Sequence, residues 1–245
     1  MEKMLIKACE KVDLVTTPGE GSRQRLVGLG IKTPVLCVSN PTKLSDFAGV
    51  DGTAVREHFN VAPIDCLLGY VGRLNDEKNL DALLEAFEII ARFRSNARLM
   101  IVGDGSEKSR LEQRAETIAP GRVIFTGAIN HAEIAPYFAA LDLFVTPSKS
   151  EVQPMSFAEA FAAEVPIIAY NVTGCYDMIK DGVSGLLVPY EDGPAGLAGA
   201  SLELISDPAR HRMLGQSAGE WAKQYEQMRA VDQTLAAYQL AIDLH

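Results

Sequence analysis

The sequence predicts an α/β protein with a Rossmann-like parallel sheet and helices on both faces. Short apolar runs alternate with amphipathic helical stretches from about residue 66 to residue 190. This order is typical of parallel strands joined by crossover helices. The runs are also apolar almost throughout, as expected for strands that are covered on both faces.

Six runs are predicted strands, and helices are predicted between them. The strands read C-L-L-G-Y-V, R-L-M-I-V, R-V-I-F-T, L-D-L-F-V-T, P-I-I-A-Y and G-L-L-V-P in chain order. The clearest helix covers residues 77–93, where Leu80, Leu83, Leu84, Phe87 and Ile90 recur at helical spacing. Further helices are predicted at residues 105–118, 131–139, 155–163 and 173–180.

The flanking stretches divide the chain into three predicted parts. Upstream, V-D-L-V-T-T and V-L-C-V-S are predicted strands around a helix, and a Pro-, Asp- and Gly-bearing linker follows. Downstream, Ala-rich helices are broken at Asp207-Pro208, with no strand after Pro189. The predicted parts are residues 1–40, residues 41–205 and residues 206–245.

Composition excludes several classes of function. The 245 residues carry a formal net charge of -9 and no basic stripe, which argues against a nucleic-acid partner. The four cysteines form no C-x-x-C pair, which favours reduced thiols in a cytoplasmic protein. No apolar run approaches the roughly 20 residues that span a bilayer. No transmembrane segment is therefore predicted, although peripheral membrane attachment of a longer chain stays open.

No metal site is predicted either. The four histidines show no metal-ligand spacing and are assigned no chemistry. No D-x-D motif is present to hold a divalent ion on a diphosphate. The charge of a diphosphate would then fall to cationic side chains and to amides at helix starts.

The loop after the first strand of the main pattern carries two cations. Ligands of open parallel sheets bind outside the carboxyl ends of the strands, and Gly72, Arg73 and Lys78 follow such an end. An Arg fork and a mobile Lys charge suit a diphosphate, although two solvated surface cations are the alternative. Gly103-Asp104-Gly105 also resembles a phosphate-binding turn, but Lys108 replaces the third glycine, which favours a plain tight turn.

The loop before the helix at 155–163 contains the segment E-V-Q-P-M-S-F-A-E. Glu159 falls inside the predicted helix and Glu151 in the loop, so both carboxylates are expected to line one crevice at different depths. A helical carboxylate can accept hydrogen bonds from ribose hydroxyls, and Glu151, further out, can hold hexose hydroxyls. The first turn attracts phosphate or sugar oxygens, and it comprises Gln153, Pro154, Met155 and Ser156. A surface carboxylate is the alternative for either Glu.

Five motifs in this order resemble those of the GT-B glycosyltransferases of family 4, and the resemblance covers about residues 5–190. The motifs are V-G-R-L-N-D-E-K-N, I-V-G-D-G, F-T-G, D-L-F-V-T-P-S and E-x7-E. The resemblance implies two Rossmann-like domains with the active site between them. Residues 41–205 would be the donor-binding domain, the C-terminal half of that fold. Residues 1–40 would be a remnant of the acceptor domain and the start of the linker, and residues 206–245 would be helices that pack back towards it.

The resemblance also implies roles for individual residues. Arg73 and Lys78 would contact the diphosphate of a UDP- or GDP-linked sugar, Glu159 the ribose and Glu151 the transferred hexose. Main chain near Ala128 and Ile129 would face the base. Transfer would retain the anomeric configuration, without a metal or cofactor. A carbohydrate or lipid acceptor would bind mainly to the missing domain, so the isolated chain is predicted to be inactive.

Departures from the family pattern leave the sugar open. Val152 and Gln153 stand where the family often has a glycine-containing G-F-G-L-P segment, and Cys175 stands where a second glycine often follows Gly174. Three other functions are considered. A non-catalytic nucleotide-binding module and a phosphorylase or nucleotide-sugar epimerase on the same architecture stay open. A Rossmann oxidoreductase is disfavoured because the dinucleotide fingerprint is missing.

Overall fold

The computed structural model of the chain describes residues 2–244. Its strands lie where apolar runs were predicted, with two short strands upstream and six in the main pattern. They are β1 (Val15–Thr17), β2 (Val35–Cys37), β3 (Cys66–Val71), β4 (Ala97–Val102), β5 (Val123–Gly127), β6 (Leu143–Thr146), β7 (Ile167–Tyr170) and β8 (Gly185–Val188).

The described helices connect these strands and extend beyond the last one. They are α1 (Glu2–Cys9), α2 (Glu20–Gly28), α3 (Thr53–His58), α4 (Leu80–Phe93), α5 (Lys108–Ile118), α6 (Ala135–Ala139), α7 (Met155–Ala162), α8 (Cys175–Met178), α9 (Gly193–Ser206), α10 (Pro208–Ala222) and α11 (Gln227–Leu244).

The strands form two parallel sheets. β1 pairs with β2, and the other six form one sheet in the order β5-β4-β3-β6-β7-β8. The chain therefore runs outward from β3 to β5, then crosses back to the other side of β3 and runs outward again. The order reverses between β3 and β6, the position at which open parallel sheets place their ligand crevice.

The main sheet has a core on each face, which explains why its strands are apolar almost throughout. Neighbouring residues such as Leu67 and Leu68 are fully buried but belong to opposite cores, because side chains alternate along a strand. Helices α4, α5 and α9 cover the face of Leu68, and α6, α7 and part of α10 cover the face of Leu67. The predicted fold class is confirmed.

Several predicted helices are shorter than expected, and the first of these differences matters for the crevice. The helix predicted from residue 77 begins at Leu80, because Asn79 adopts a left-handed conformation with φ 55° and ψ 38°. Residues Asp76–Lys78 form a separate 3-10 turn. Similarly, His131–Glu133 forms a 3-10 turn before α6. Lys78 thus lies in a turn at the carboxyl end of β3 and not on a helix.

Residues 2–38 form a small unit that is held against the main sheet domain. Its core contains Cys9, Ile31 and Val35. The amide of Gly21 donates to Asp177 Oδ2 at 2.9 Å. In the linker that follows, strand-like pairing joins Thr42 to Glu226 next to the start of α11.

The C-terminal helices α10 and α11 pack against different parts of the protein. α10 packs on the main sheet domain, since Leu214 and Ala218 are fully buried in its two cores. α11 lies beside the first sheet, where Thr234 and Ala237 line a cavity with Leu14, Thr16 and Val38. Within residues 206–244, α10 therefore packs on the main sheet domain, whereas α11 and the turn before it, with Gln224 and Tyr225, lie against the N-terminal unit. Within residues 2–244, no helix has the length and apolar character to cross a bilayer.

A close backbone approach at Gly52 predicts a test of this packing. A Cβ at Gly52 would lie 2.3 Å from the backbone nitrogen of Ala140, next to α6, whereas a Cβ at Gly28 would meet nothing within 4 Å. We expect Gly52→Ala to lower the free energy of unfolding by about 1–3 kcal/mol, the usual cost of overpacking. Gly28→Ala, the matched control, is expected to cause no loss. Denaturant unfolding followed by circular dichroism measures both, and equal stabilities would contradict the packing.

Candidate functional site

A crevice of about 290 Å³ opens at the carboxyl ends of β3 and β6, where the strand order reverses. Residues from the two strands form its floor, and residues from the two loops and from α7 form its walls. It is lined by Tyr70, Val71, Gly72, Arg73, Lys78, Phe144, Thr146, Glu151, Pro154, Ser156, Phe157 and Glu159.

Glu159 is the most unusual group in this crevice. The residue is only 6% exposed, yet its carboxylate has no hydrogen-bond partner among residues 2–244 and its oxygens are not fully enclosed. The ring nitrogen Nδ1 of His131 lies 3.8 Å from Glu159 Oε1. Burial raises the pKa of Glu159, and His131 opposes that rise. Buried carboxylates are normally hydrogen-bonded, so Glu159 has acceptor oxygens ready for donors from a ligand.

Lys78 and Glu151 form an enclosed ion pair across the crevice. Lys78 Nζ lies 2.7 Å from Glu151 Oε1, and the two side chains are 16% and 11% exposed. The turn that carries Lys78 is tied to the loop after β6, because Asn79 Nδ2 donates to the carbonyl of Pro147 at 3.2 Å. The pair therefore joins the loops that follow β3 and β6.

The backbone of Glu151 rests against the start of α8. Its amide donates to the carbonyl of Thr173 at 3.0 Å. Gly174, with φ 81°, approaches so closely that a Cβ there would lie 2.3 Å from the carbonyl carbon of Glu151. Cys175, which follows, is fully buried and has no left-handed backbone, so this structure does not require a second glycine there.

Arg73 lies at the rim of the crevice. Its side chain is 74% exposed and pairs with Glu77 at 3.2 Å. The hydroxyl of Tyr70 donates to the carbonyl of Arg73 at 3.1 Å, which fixes the backbone beneath the guanidinium. Arg73 is thus anchored at its backbone but free to reorient at its charged end, whereas Lys78 is enclosed.

Helix α7 points its N-terminus into the same crevice. Pro154 precedes the first helical residue in an extended conformation, and no side chain caps the helix. The first amides of a helix lack intrahelical partners and attract anions. Ser156 contributes to the lining at this end. The Glu159 carboxylate, the Lys78 cation and the start of α7 therefore face the same crevice.

The structure brings seven of the predicted site residues together and leaves four outside the lining. Gly72, Arg73, Lys78, Glu151, Pro154, Ser156 and Glu159 line the crevice, whereas Ala128, Ile129, Gln153 and Met155 do not. Ala128 and Ile129 follow β5, which is two strands away from β3.

The side chain of Gln153 binds the linker and not the crevice, whereas the predicted contribution of the main-chain amides around Gln153 stays a prediction. Gln153 Oε1 accepts a hydrogen bond from the amide of Asn40 at 2.6 Å, and Gln153 Nε2 donates to Ser39 Oγ at 2.6 Å. These bonds turn the side chain towards the N-terminal unit. Its role is to connect the loop of Glu151 with residues 39–40.

His131 is the residue that the sequence did not reveal. No metal-ligand spacing involves it, so it was assigned no chemistry, yet it lies beside Glu159 with a side chain that is 77% exposed. Its ring also lies 6.2 Å from that of Phe47 in the linker region. In the sequence, His131 follows directly after the loop that is expected to face the base, and this position was the one hint of a role. Only the fold shows that the turn containing His131 lies next to α7.

The Gly103-Asp104-Gly105 turn serves close packing. Gly103 has φ 140°, and a Cβ there would lie 1.9 Å from the carbonyl oxygen of Gly72. A Cβ at Gly105 would lie 2.4 Å from the carbonyl oxygen of Leu74. Both glycines are needed because this turn presses against the loop that carries Arg73, which supports the plain-turn interpretation.

No group of three or more His, Cys, Asp or Glu side chains in the described part of the chain is arranged to hold a metal ion. Metal independence itself stays a prediction.

The model of the family described as glycosyl transferases group 1 matches residues 65–207. The chain belongs to this family. The matched segment contains every strand of the main sheet and the whole crevice. The resemblance to GT-B glycosyltransferases of family 4 that the motifs indicated is confirmed.

Curated relatives include two bacterial enzymes. The chain is 35% identical over 175 residues to a GDP-mannose-dependent alpha-mannosyltransferase of Corynebacterium glutamicum, covering 71% of this chain and 40% of that protein. It is 30% identical over 216 residues to the alpha-monoglucosyldiacylglycerol synthase of Streptococcus pneumoniae, covering 85% of this chain and 48% of that protein. The chain thus spans less than half the length of both relatives.

Solved structures share the fold. A sucrose-phosphate synthase from Thermosynechococcus elongatus superposes with a TM-score of 0.86 at 26% identity, covering 98% of this chain and 61% of that one. HepE from Anabaena, solved in complex with UDP and glucose, gives a TM-score of 0.88 at 20% identity, covering 97% of this chain and 66% of that one. The second likeness concerns the fold alone.

Because Glu159 is buried, its ionised form is expected to lower the stability of the folded chain. Its pKa in the folded chain is raised, so the unfolded chain ionises first as the pH rises, and ionisation then disfavours the fold. We expect Glu159→Gln to unfold at a higher temperature than the wild type at pH 7. The gain should shrink as the pH falls through the folded pKa and vanish below the unfolded value of about 4.3.

Thermal unfolding of both proteins between pH 4 and pH 8 measures this difference. Glu191→Gln is the matched control, because Glu191 is an exposed carboxylate outside the crevice. A gain in stability that does not change with pH would show that ionisation of Glu159 is not its cause.

Proposed function

We propose that this chain is the donor-binding part of a retaining glycosyltransferase that moves a hexose from a nucleoside diphosphate sugar to an acceptor hydroxyl. The observation that carries the proposal is Glu159, a residue only 6% exposed that lines the crevice and whose carboxylate accepts no hydrogen bond from the described chain. The vicinal hydroxyls of a ribose would supply the missing donors.

The rest of the crevice suits the other parts of such a donor. Lys78, Arg73 and the uncapped start of α7 provide positive charge and amides for the diphosphate. Glu151 lies next to Lys78 at 2.7 Å, so a sugar attached to that diphosphate would meet its carboxylate. Main chain near Ala128 and Ile129 is proposed to face the base, with His131 beside the ribose carboxylate.

The proposed transfer needs no side-chain nucleophile. The acceptor oxygen bonds to the anomeric carbon on the face from which the phosphate leaves, and the bond between that carbon and the phosphate oxygen breaks. The leaving phosphate accepts the proton of the acceptor hydroxyl. The contribution of the chain is to hold the donor and to stabilise the charge that develops on the diphosphate, mainly through Lys78 and helix-start amides.

The relatives support a hexose donor without fixing it. One is named as a GDP-mannose-dependent alpha-mannosyltransferase and another as an alpha-monoglucosyldiacylglycerol synthase, so the sugar differs among proteins similar to this chain, and the base, the sugar and the acceptor of this chain stay open. The four cysteines are free in the structure, which is typical of the cytoplasm, and we place the activity there.

The acceptor is proposed to bind to a further domain. α11, which lies beside the N-terminal unit, exposes a row of large apolar side chains that suits a covering domain; they are Met228, Val231, Leu235, Tyr238 and Ile242. The chain also spans less than half the length of the two relatives described above. We therefore expect donor binding but no transfer by the 245 residues alone.

A binding series tests the proposal. Isothermal calorimetry of UDP, GDP, ADP and their sugars with the 245-residue chain should identify one nucleotide that binds. Glu159→Ala is expected to weaken that nucleotide about tenfold or more, because a charge-assisted hydrogen bond to the ribose is lost. Glu191→Ala, the exposed control, should bind as the wild type does.

Unchanged nucleotide affinity in Glu159→Ala would overturn the ribose assignment, and the absence of binding by every nucleotide would overturn the donor site.

An activity assay distinguishes a transferase from a non-catalytic nucleotide-binding module. A longer chain with the acceptor domain should transfer the sugar or slowly hydrolyse the donor, with or without EDTA. Turnover by the 245 residues alone would show that no further domain is needed.

A further inference from the structure

Both cations of the crevice are already paired with carboxylates. Lys78 Nζ contacts Glu151 Oε1 at 2.7 Å, and Arg73 contacts Glu77 at 3.2 Å. The two pairs differ in their surroundings. The side chains of Lys78 and Glu151 are 16% and 11% exposed, whereas those of Arg73 and Glu77 are 74% and 59% exposed. Solvent screens the second pair but hardly the first.

The enclosed pair constrains what can bind beside it. A diphosphate that approaches Lys78 meets the Glu151 carboxylate as a like charge at the same place. The carbonyl of Thr173 and the close approach of Gly174 hold the backbone of Glu151, so the loop keeps this residue beside Lys78. If a ligand draws Lys78 away, Glu151 is left as a buried charge without a partner, which is strongly unfavourable.

We infer that Glu151 acts as a counter-ion of Lys78 that makes the crevice favour the intact nucleotide sugar over the nucleoside diphosphate that transfer leaves behind. This inference rests on the proposed function. When a sugar is attached to the diphosphate, its hydroxyls donate to Glu151 and replace the lost contact with Lys78. The product offers Glu151 no hydroxyl and carries more negative charge on its terminal phosphate, so the like-charge repulsion remains.

Glu151 thereby determines how strongly the crevice prefers the nucleotide sugar to the nucleoside diphosphate. Its carboxylate is shared between the sugar and Lys78, so recognition of the sugar is coupled to recognition of the diphosphate. The same coupling favours release of the nucleoside diphosphate, because Glu151 returns to Lys78 once the sugar has gone.

Removing the charge of Glu151 distinguishes this role from a simple sugar contact, because the two roles predict different changes in the affinity for UDP or GDP. Glu151→Gln keeps the size of the side chain and its capacity to bond hydroxyls but removes the charge. We expect the variant to bind UDP or GDP about tenfold more tightly than the wild type, because Lys78 is no longer neutralised. Binding of the matching UDP-glucose or GDP-mannose should improve less, so the preference for the sugar form falls.

Calorimetry with the 245-residue chain compares four probes, UDP, GDP, UDP-glucose and GDP-mannose. The matched control is Glu77→Gln, which removes the carboxylate partner of the exposed Arg73 and is expected to change UDP or GDP affinity less than about twofold. The double variant Lys78→Gln/Glu151→Gln should lose the gain seen in Glu151→Gln. Circular dichroism checks folding, and Glu151→Ala replaces the glutamine variant if that variant does not fold.

The outcomes separate this inference from the proposed function. If the wild type binds none of the four probes, the proposed function fails and the inference fails with it. If the wild type binds but the Glu151 variant binds UDP or GDP equally or more weakly, the inference is overturned and the donor site stands. A gain that persists in the double variant, or an equal gain in Glu77→Gln, would also overturn it, since Lys78 would then not be the group that Glu151 neutralises.

Discussion

The loops that follow β3 and β6 diverge because the two strands are neighbours whose following helices pack on opposite faces of the sheet. α4 follows β3 into the core of Leu68, whereas α7 follows β6 into the core of Leu67. Two parallel strands can end side by side in this way only where the strand order reverses, and the space between the departing loops is the crevice. Each charged group described above depends on that divergence.

The charges within the crevice differ in how firmly they are held. Lys78 and Glu151 face each other in an enclosed pair, Glu159 is buried without a hydrogen bond, and Arg73 extends into solvent. Enclosure from water strengthens electrostatic interactions. The electrostatic interactions of the inner groups are therefore stronger, while those of Arg73 are weakened by salt and solvent.

The sequence predicted the sheet well because its evidence is local. Apolar runs and helical spacing indicate a buried strand or a helix face, and the loops at the carboxyl ends of β3 and β6 followed from that order. Asn79 shows one limit, since the helical pattern continued through residue 77 and gave no sign of a left-handed residue. Such a conformation is set by contacts, including the bond from Asn79 to Pro147.

Side-chain directions were the second limit. Gln153 stands between Glu151 and Pro154, which both line the crevice, so position along the chain suggested the same role, but the side-chain amide of Gln153 is hydrogen-bonded to the linker. His131 and Glu159 are brought together by two separate connections of the sheet. No spacing along the chain encodes either pairing, because both result from tertiary packing.

The grip of Gln153 on the linker has a mechanical consequence. Its amide bonds to residues 39 and 40 from a position only two residues after Glu151. The same hydrogen bonds therefore fasten the short loop that presents the Glu151 carboxylate to the linker. A second tether lies nearby, because the amide of Gly21 in the N-terminal unit donates to Asp177 Oδ2 in helix α8. The backbone that carries Glu151 is thus braced from outside the crevice as well as from within it.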